Sequence, residues 1–204
     1  MQIRPYQPKD WAATYRVCLE TGDSGLDATH LHTDPNALGN IYVGAYLRFE
    51  PELAYVLEDE NGVCGYVLGA LDSKVFYQRY LQEWLPPLQQ TYARPTGDRG
   101  RWNPSAQLHA LLFEPDMVYK PELAKWPAHL HIDLIARAQG KGWGKQMIDV
   151  LLAELVARKS SGVHLGVSAR NDRAIGFYQK MGFAEIMRDG PADDGTIYMA
   201  RRLP

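Results

Sequence analysis

The hydrophobic positions change period several times along the chain, and each change marks an element. Residues 2 to 5 fit a short strand. Pro8 and Asp10 then give helix-start signals, and Trp11, Tyr15, Cys18 and Leu19 share one helical face until Gly22 ends the run. A polar, glycine-containing loop follows. Asp34 and Pro35 read as an N-cap and a first-turn proline for a second helix reaching Phe49, ahead of Pro51. Leu53 to Leu57 reads as a strand, Asn61-Gly62 as a hairpin turn and Val63 to Leu71 as the partner strand.

Between Asp72 and Pro127 the pattern turns aromatic and proline-broken, with Phe76, Tyr77, Tyr80, Trp84, Tyr92, Trp102 and Trp126. We read this stretch as a helical insertion with loops, its aromatics packed on the domain or forming a substrate wall. Leu130 to Ile135 resumes as a strand. A glycine-rich turn, QGKGWGK, then leads into a helix with Met147, Ile148, Leu151, Leu152, Leu155 and Val156 at helical spacing, with Gly162 marking its exit. A strand over Val163 to Val167, a helix opening near Asn171-Asp172 and two last strands flanking Asp193-Asp194-Gly195 complete the reading.

Composition narrows the class rather than the function. At 204 residues, 46% hydrophobic and 23% charged, the chain fits one soluble globular domain over residues 1–204. The formal net charge of -2 gives no electrostatic footprint for nucleic acid or an anionic membrane. Cys18 and Cys64 lie in apolar periodic stretches and read as reduced thiols. No apolar run reaches the roughly 18 residues of a spanning helix, so a cytoplasmic protein is expected. The oligomeric state is left open.

The chemistry is concentrated in the turn Gln139-Gly140-Lys141-Gly142-Trp143-Gly144, set between a strand and a helix. Its glycines let the backbone turn tightly and present bare N–H groups at a helix N-terminus, which suits a phosphate. A nucleotide P-loop requires Ser or Thr after its lysine, whereas Gln146 follows Lys145. The dinucleotide fingerprint also fails, because the glycines are spaced G-x-G-x-G.

What remains, Gln139, Gly142 and Gly144, resembles the acetyl-CoA pyrophosphate motif Q/R-x-x-G-x-G/A of the GNAT acetyltransferase superfamily. Asn171, Ala174, Phe177, Tyr178, Gly182 and Phe183 match a second pattern of that family, N-x-x-A-x-x-F-Y-x-x-x-G-F. The segment Tyr55 to Asp72, the first helix and the C-terminal third also resemble the acetyltransferase-like C-terminal region of O-GlcNAcase and its free-standing bacterial relatives. The resemblance implies an α/β (α+β) GNAT fold: a mixed sheet of about seven strands flanked by helices, a helical insertion over 72–127 and an acetyl-CoA-binding core over 128–189. It implies acetyl-CoA as co-substrate and a small-molecule or peptide amine as acceptor. It also implies cofactor contacts from Leu134, Ala136, Gln139, Gly140, Lys141, Gly142, Trp143, Gly144, Lys145, Asn171 and Tyr178, and a general-acid role for Tyr178.

The base is open. His129, His131 and Asp133 alternate along one strand and share a face if the strand is regular, and a bulge there would change the parity. Some family members deprotonate the amine through water alone. The H-x-H-x-D pattern lacks an accompanying metal-spaced cluster, and no metal is expected. Asp23, Asp27 and Asp72 fall in loops or at strand ends, where they bind a cationic amine or serve as caps. Two functional readings follow: an active N-acetyltransferase, or a non-catalytic acetyl-CoA-binding or protein-interaction module.

Overall fold

The computed structural model describes residues 1–204. Strand β1 (Gln2–Pro5) passes through a 3-10 turn into helix α1 (Trp11–Leu19), and α2 (Ala37–Tyr42) and α3 (Gly44–Phe49) follow the loop after it. The single helix expected up to Phe49 is therefore two. The break falls at β-branched Val43, with φ -122° and ψ -53°. The change of direction turns the bare Cα of Gly44 toward other elements. A Cβ there would lie 2.3 Å from the Tyr15 hydroxyl and 2.4 Å from the Trp84 ring. Asp34 accepts from the Asn36 N–H one turn before α2 and does not cap it.

The hairpin β2 (Ala54–Asp59) and β3 (Gly62–Ala70) runs into α4 (Ser73–Arg79), whose first turn is capped by Asp72 accepting from the Val75 N–H at 3.0 Å. A π-helical turn, Tyr80–Trp84, joins α4 to α5 (Leu85–Thr91). Pro86 and Pro87 carry no N–H, and the ladder shifts there so that Leu85 N–H reaches the Tyr80 carbonyl. Helix α6 (Pro104–Leu111) completes the segment before β4 (Ala128–Leu134). The aromatics of this segment are tied to the rest of the fold. Tyr15 Oη bonds Asn40 Oδ1, Asn40 Nδ2 donates to Tyr92 Oη at 3.0 Å, and Trp84 Nε1 donates to the Asn40 carbonyl at 2.8 Å.

After β4 come α7 (Trp143–Ala157), β5 (Gly162–Ser168), α8 (Asp172–Lys180), β6 (Ala184–Asp189) and β7 (Thr196–Arg202). Met147, Ile148, Leu151 and Leu155 of α7 are fully buried. Each contributes about 1.5–3 kcal/mol relative to exposure. Helix α7 ends at Ala157, and the chain turns out of it at Lys159 rather than at Gly162. Lys159 takes a left-handed conformation, φ 63°, and the Lys159 and Ser160 amides close back on Val156 and Leu155.

The seven strands form one mixed sheet in the order β1-β2-β3-β4-β5-β7-β6. Its two faces are covered by different helices: Tyr66 of β3 faces α1, and Gly69, three residues on, faces Leu151 of α7. The one parallel pair, β4 with β5, has register partners only at Ala128–Val163 and His129–His164. Beyond these two pairs the strands part, and the middle of the sheet opens into a cleft.

Candidate active site

The β3–β4 register runs without a shift from Ala70–His129 to Gly65–Leu134, so β4 carries no bulge and His129, His131 and Asp133 share a face. They do not share surroundings. His129 is buried, its Nδ1 2.8 Å from Ser73 Oγ and its ring stacked on Tyr77 at 5.0 Å. Its Nε2 has no partner and no contact with solvent. Burial, and then the neighbouring His164 and His131, hold its pKa well below the usual histidine value.

His131 and Asp133 converge on one hydroxyl. Tyr66 Oη donates to Asp133 Oδ2 and lies 3.0 Å from His131 Nε2. With its single proton committed to Asp133, the Tyr66 oxygen can only accept from His131, so His131 carries a proton on Nε2. His131 Nε2 also lies 3.2 Å from Asp133 Oδ2. Both contacts fall on one carboxylate oxygen, and Oδ1 is left without a hydrogen bond. The donor atoms of His131, Asp133 and buried Cys18 lie within 4.8 Å of one another. Burial, and then the Asp133 charge, keep Cys18 a thiol, and Tyr66 already bridges the other two, so the trio is a hydrogen-bonded knot.

The glycine-rich turn closes the end of β4. Gly140 and Gly142 have φ of 72° and 81°, a region costly to residues with a Cβ. Gly144 packs on the neighbouring helix: a Cβ there would sit 3.4 Å from the Phe177 ring. No backbone N–H from Gly140 to Lys145 has an acceptor in the protein. These amides and the α7 N-terminus form a concentrated donor site for an anion. Gln139 Nε2 donates to the Leu134 carbonyl at 2.6 Å and so pins the turn to the strand. Alternate amides of β4 point the same way. Ile135 N–H bonds the Cys64 carbonyl on the β3 side, so the Ile132 and Leu134 N–H groups point across the cleft.

The flanking residues are placed differently. Lys145 pairs with Asp149 at 2.5 Å and Lys141 Nζ donates to the Arg137 carbonyl. Ala136 is exposed in a 3-10 turn, and Trp143 is half-buried as the first residue of α7. Asn171 caps α8 through Ala174 N–H and also donates from Nδ2 to the Ser24 carbonyl at 3.2 Å. The loop bearing Asp23 thereby meets the second motif. Asp27 instead bonds Thr29, and Asp72 caps α4.

Tyr178 is buried against Phe177 and Phe183, and its hydroxyl has no hydrogen-bond partner. Burial, and then the Asp133 charge, raise its pKa above the ordinary tyrosine value, so the phenol stays protonated. The same charge acts on Tyr66 after burial.

The sequence model of the Acetyltransferase (GNAT) family matches residues 21–183. The chain belongs to the GNAT acetyltransferase family. This GNAT chain is 34% identical over 203 residues to the protein O-GlcNAcase of Rattus norvegicus, and equally so to that of Mus musculus. The match takes in 98% of the chain but 22% of the rat protein. The crystal structure of SsHAT superposes with a TM-score of 0.89 at 36% identity, covering 98% of this chain and 97% of that one. An N-acetyltransferase from Staphylococcus aureus Mu50 shares the GNAT fold at a TM-score of 0.64 and 18% identity, over 98% of this chain and all of that one. In this GNAT chain, Tyr66 and Cys18 are site neighbours that their hydrophobic surroundings in sequence concealed.

Proposed function

We propose that the chain is an acetyl-CoA-dependent N-acetyltransferase acting by direct transfer to an amine. The observation that carries this reading is the run of unpartnered amides from Gly140 to Lys145, just beyond the end of the strand that bears Asp133. The amides suit the pyrophosphate of acetyl-CoA, the outward Leu134 N–H and Asn171 suit its pantetheine arm, and the Ile132 N–H is placed to polarise a carbonyl. Acetyl-CoA supplies an activated acyl group as a thioester.

The residues then divide the proton work. An ammonium must first lose one proton to become a nucleophile, and the nitrogen loses a second as the C–N bond forms and the C–S bond breaks. Asp133 Oδ1, without a hydrogen bond, accepts a proton from the amine and passes it to solvent. Tyr66 and His131 hold the other oxygen and so orient the carboxylate. Tyr178 donates to the departing thiolate and recovers the second proton, giving amide, CoA thiol and one released proton. Its raised pKa makes it a weak acid, which keeps it in the donating form at neutral pH.

A thermal shift with saturating acetyl-CoA, followed by turnover against an amine library, tests the reading. A positive shift with product identified by mass supports it. No shift removes it, and a shift without turnover of any amine favours the non-catalytic acetyl-CoA-binding module.

A further inference from the structure

Several tyrosines around the cleft have buried rings and idle hydroxyls. Tyr46 and Tyr80 are 4% and 1% exposed. Neither hydroxyl has a hydrogen-bond partner, and the same holds for half-buried Tyr42, Tyr77 and Tyr198. The sole side-chain polar atom that is both sealed and unpartnered is His129 Nε2. The phenol oxygens therefore open onto solvent-reachable space, a rare arrangement for tyrosines so deeply set, since buried polar groups normally find partners.

The rings meet around β4. Tyr42 stacks on His131 at 6.1 Å, while Tyr46 and Tyr77 lie 5.3 and 5.0 Å from His129. Asp116 lies in the loop after α6. Burial chiefly raises the Tyr42, Tyr77, Tyr80 and Tyr198 phenols, and the Asp116 charge adds to the rise in all four. Its own carboxylate is exposed and has no ion pair. Lys120 lies 5.6 Å above the Tyr198 ring and is engaged by Asp189 at 2.6 Å. The chamber thus presents phenol faces, phenol hydroxyls and the Asp116 and Asp133 carboxylates, with its bordering lysine already neutralised.

We propose that this tyrosine-walled chamber is the acceptor site and that it selects a compact alkylammonium without an acidic group near the amine. The inference rests on the acetyltransferase reading. The ring faces and hydroxyls attract and coordinate an ammonium, Asp116 draws it in, and the approach ends at Asp133. A carboxylate on the acceptor meets repulsion from both aspartates. Asp116 and Tyr77 are specificity-determining residues here.

Butyltrimethylammonium, which has no N–H and cannot be acetylated, isolates binding from chemistry. Calorimetry on the acetyl-CoA-loaded protein should show it binding, with 4-aminobutyrate binding at least tenfold more weakly. Asp116→Asn should weaken butyltrimethylammonium about tenfold, leaving acetyl-CoA affinity unchanged. Tyr77→Phe, which retains the ring, should weaken n-butylamine, an N–H donor, more than the trimethylated probe. Absence of butyltrimethylammonium binding to a protein that does bind acetyl-CoA overturns the chamber assignment alone. Equal affinity in Asp116→Asn, or a preference for 4-aminobutyrate, also overturns it. Failure to bind acetyl-CoA removes the acetyltransferase reading instead.

Discussion

The Tyr66 hydroxyl donates to Asp133 while lying 3.0 Å from His131 Nε2, so one buried phenol holds two of the three polar residues of β4. On the proposed reading the carboxylate is the proton acceptor and the phenol its support. Asp133→Asn should lower kcat by about 10²- to 10⁴-fold with acetyl-CoA affinity retained, the range typical of a lost general base. Tyr66→Phe should cost less, because the 3.2 Å contact from His131 still orients Asp133. Steady-state kinetics beside acetyl-CoA calorimetry checks both, and a harmless Asp133→Asn would reassign the base to water.

Tyr178→Phe keeps the ring beside Phe177 and Phe183 and removes only a hydroxyl that bonds nothing in the fold. Stability and acetyl-CoA binding should hardly change. Turnover should fall by about 10²-fold, the low end for general acid catalysis, since a thiolate leaves partly unaided. A variant retaining half of wild-type kcat at every pH would show that Tyr178 serves packing only.

Gly142→Val should weaken acetyl-CoA through the backbone. With φ at 81°, any Cβ strains the turn by about 1–2 kcal/mol, although no protein atom lies within 4 Å to obstruct it. The fold around α7 should survive. Gly144→Val acts differently, since its added atoms meet Phe177, and a drop in melting temperature should accompany the loss of binding. Calorimetry and melting curves together separate the two, and unchanged acetyl-CoA affinity in both would confine the glycines to shaping the turn.

The buried histidines set an acid limit on stability. His129 and His164 have lowered pKa values in the folded state, chiefly by burial, so the unfolded chain takes up protons first as pH falls through its value of 6.5. Stability is full above that pH and declines below it, by at most about 1.4 kcal/mol per pH unit per group. Urea midpoints measured from pH 7.5 to 5 should fall accordingly, and His129→Phe should flatten the slope. An unchanged slope would shift the acid sensitivity elsewhere.

Much of this arrangement was legible in the chain. The strand-turn-helix around Gly142 and the Asn171-to-Phe183 pattern fix backbone conformation locally, and both stand where their spacing placed them. Helix boundaries were less legible, because they turned on tertiary contacts: Tyr15 and Trp84 against Gly44 divide α2 from α3, and Lys159, just past the end of α7, takes a conformation its residue type does not announce. The site was legible along β4 and hidden across it. His129, His131 and Asp133 share a face as their alternation suggests, but the segment before β4 buries His129 against Ser73 and Tyr77, and no local pattern encodes that. Tyr66 read as one more apolar position in a hairpin strand. Its hydroxyl gains meaning only when the β3–β4 register sets it opposite Asp133.

The parting of β4 and β5 after two register pairs leaves an unusual mark on the chain's exchange with water. Ile132 and Leu134 lie near the centre of a seven-stranded sheet, yet their amides face a gap instead of a neighbouring strand. Amides at such depth normally keep their protons until the whole domain opens. These two should give theirs up to deuterium far sooner than Val67 or Leu165, and a pantetheine arm in the gap should slow them selectively. On the proposed reading, the sheet thus carries a slot that only the pantetheine arm would seal.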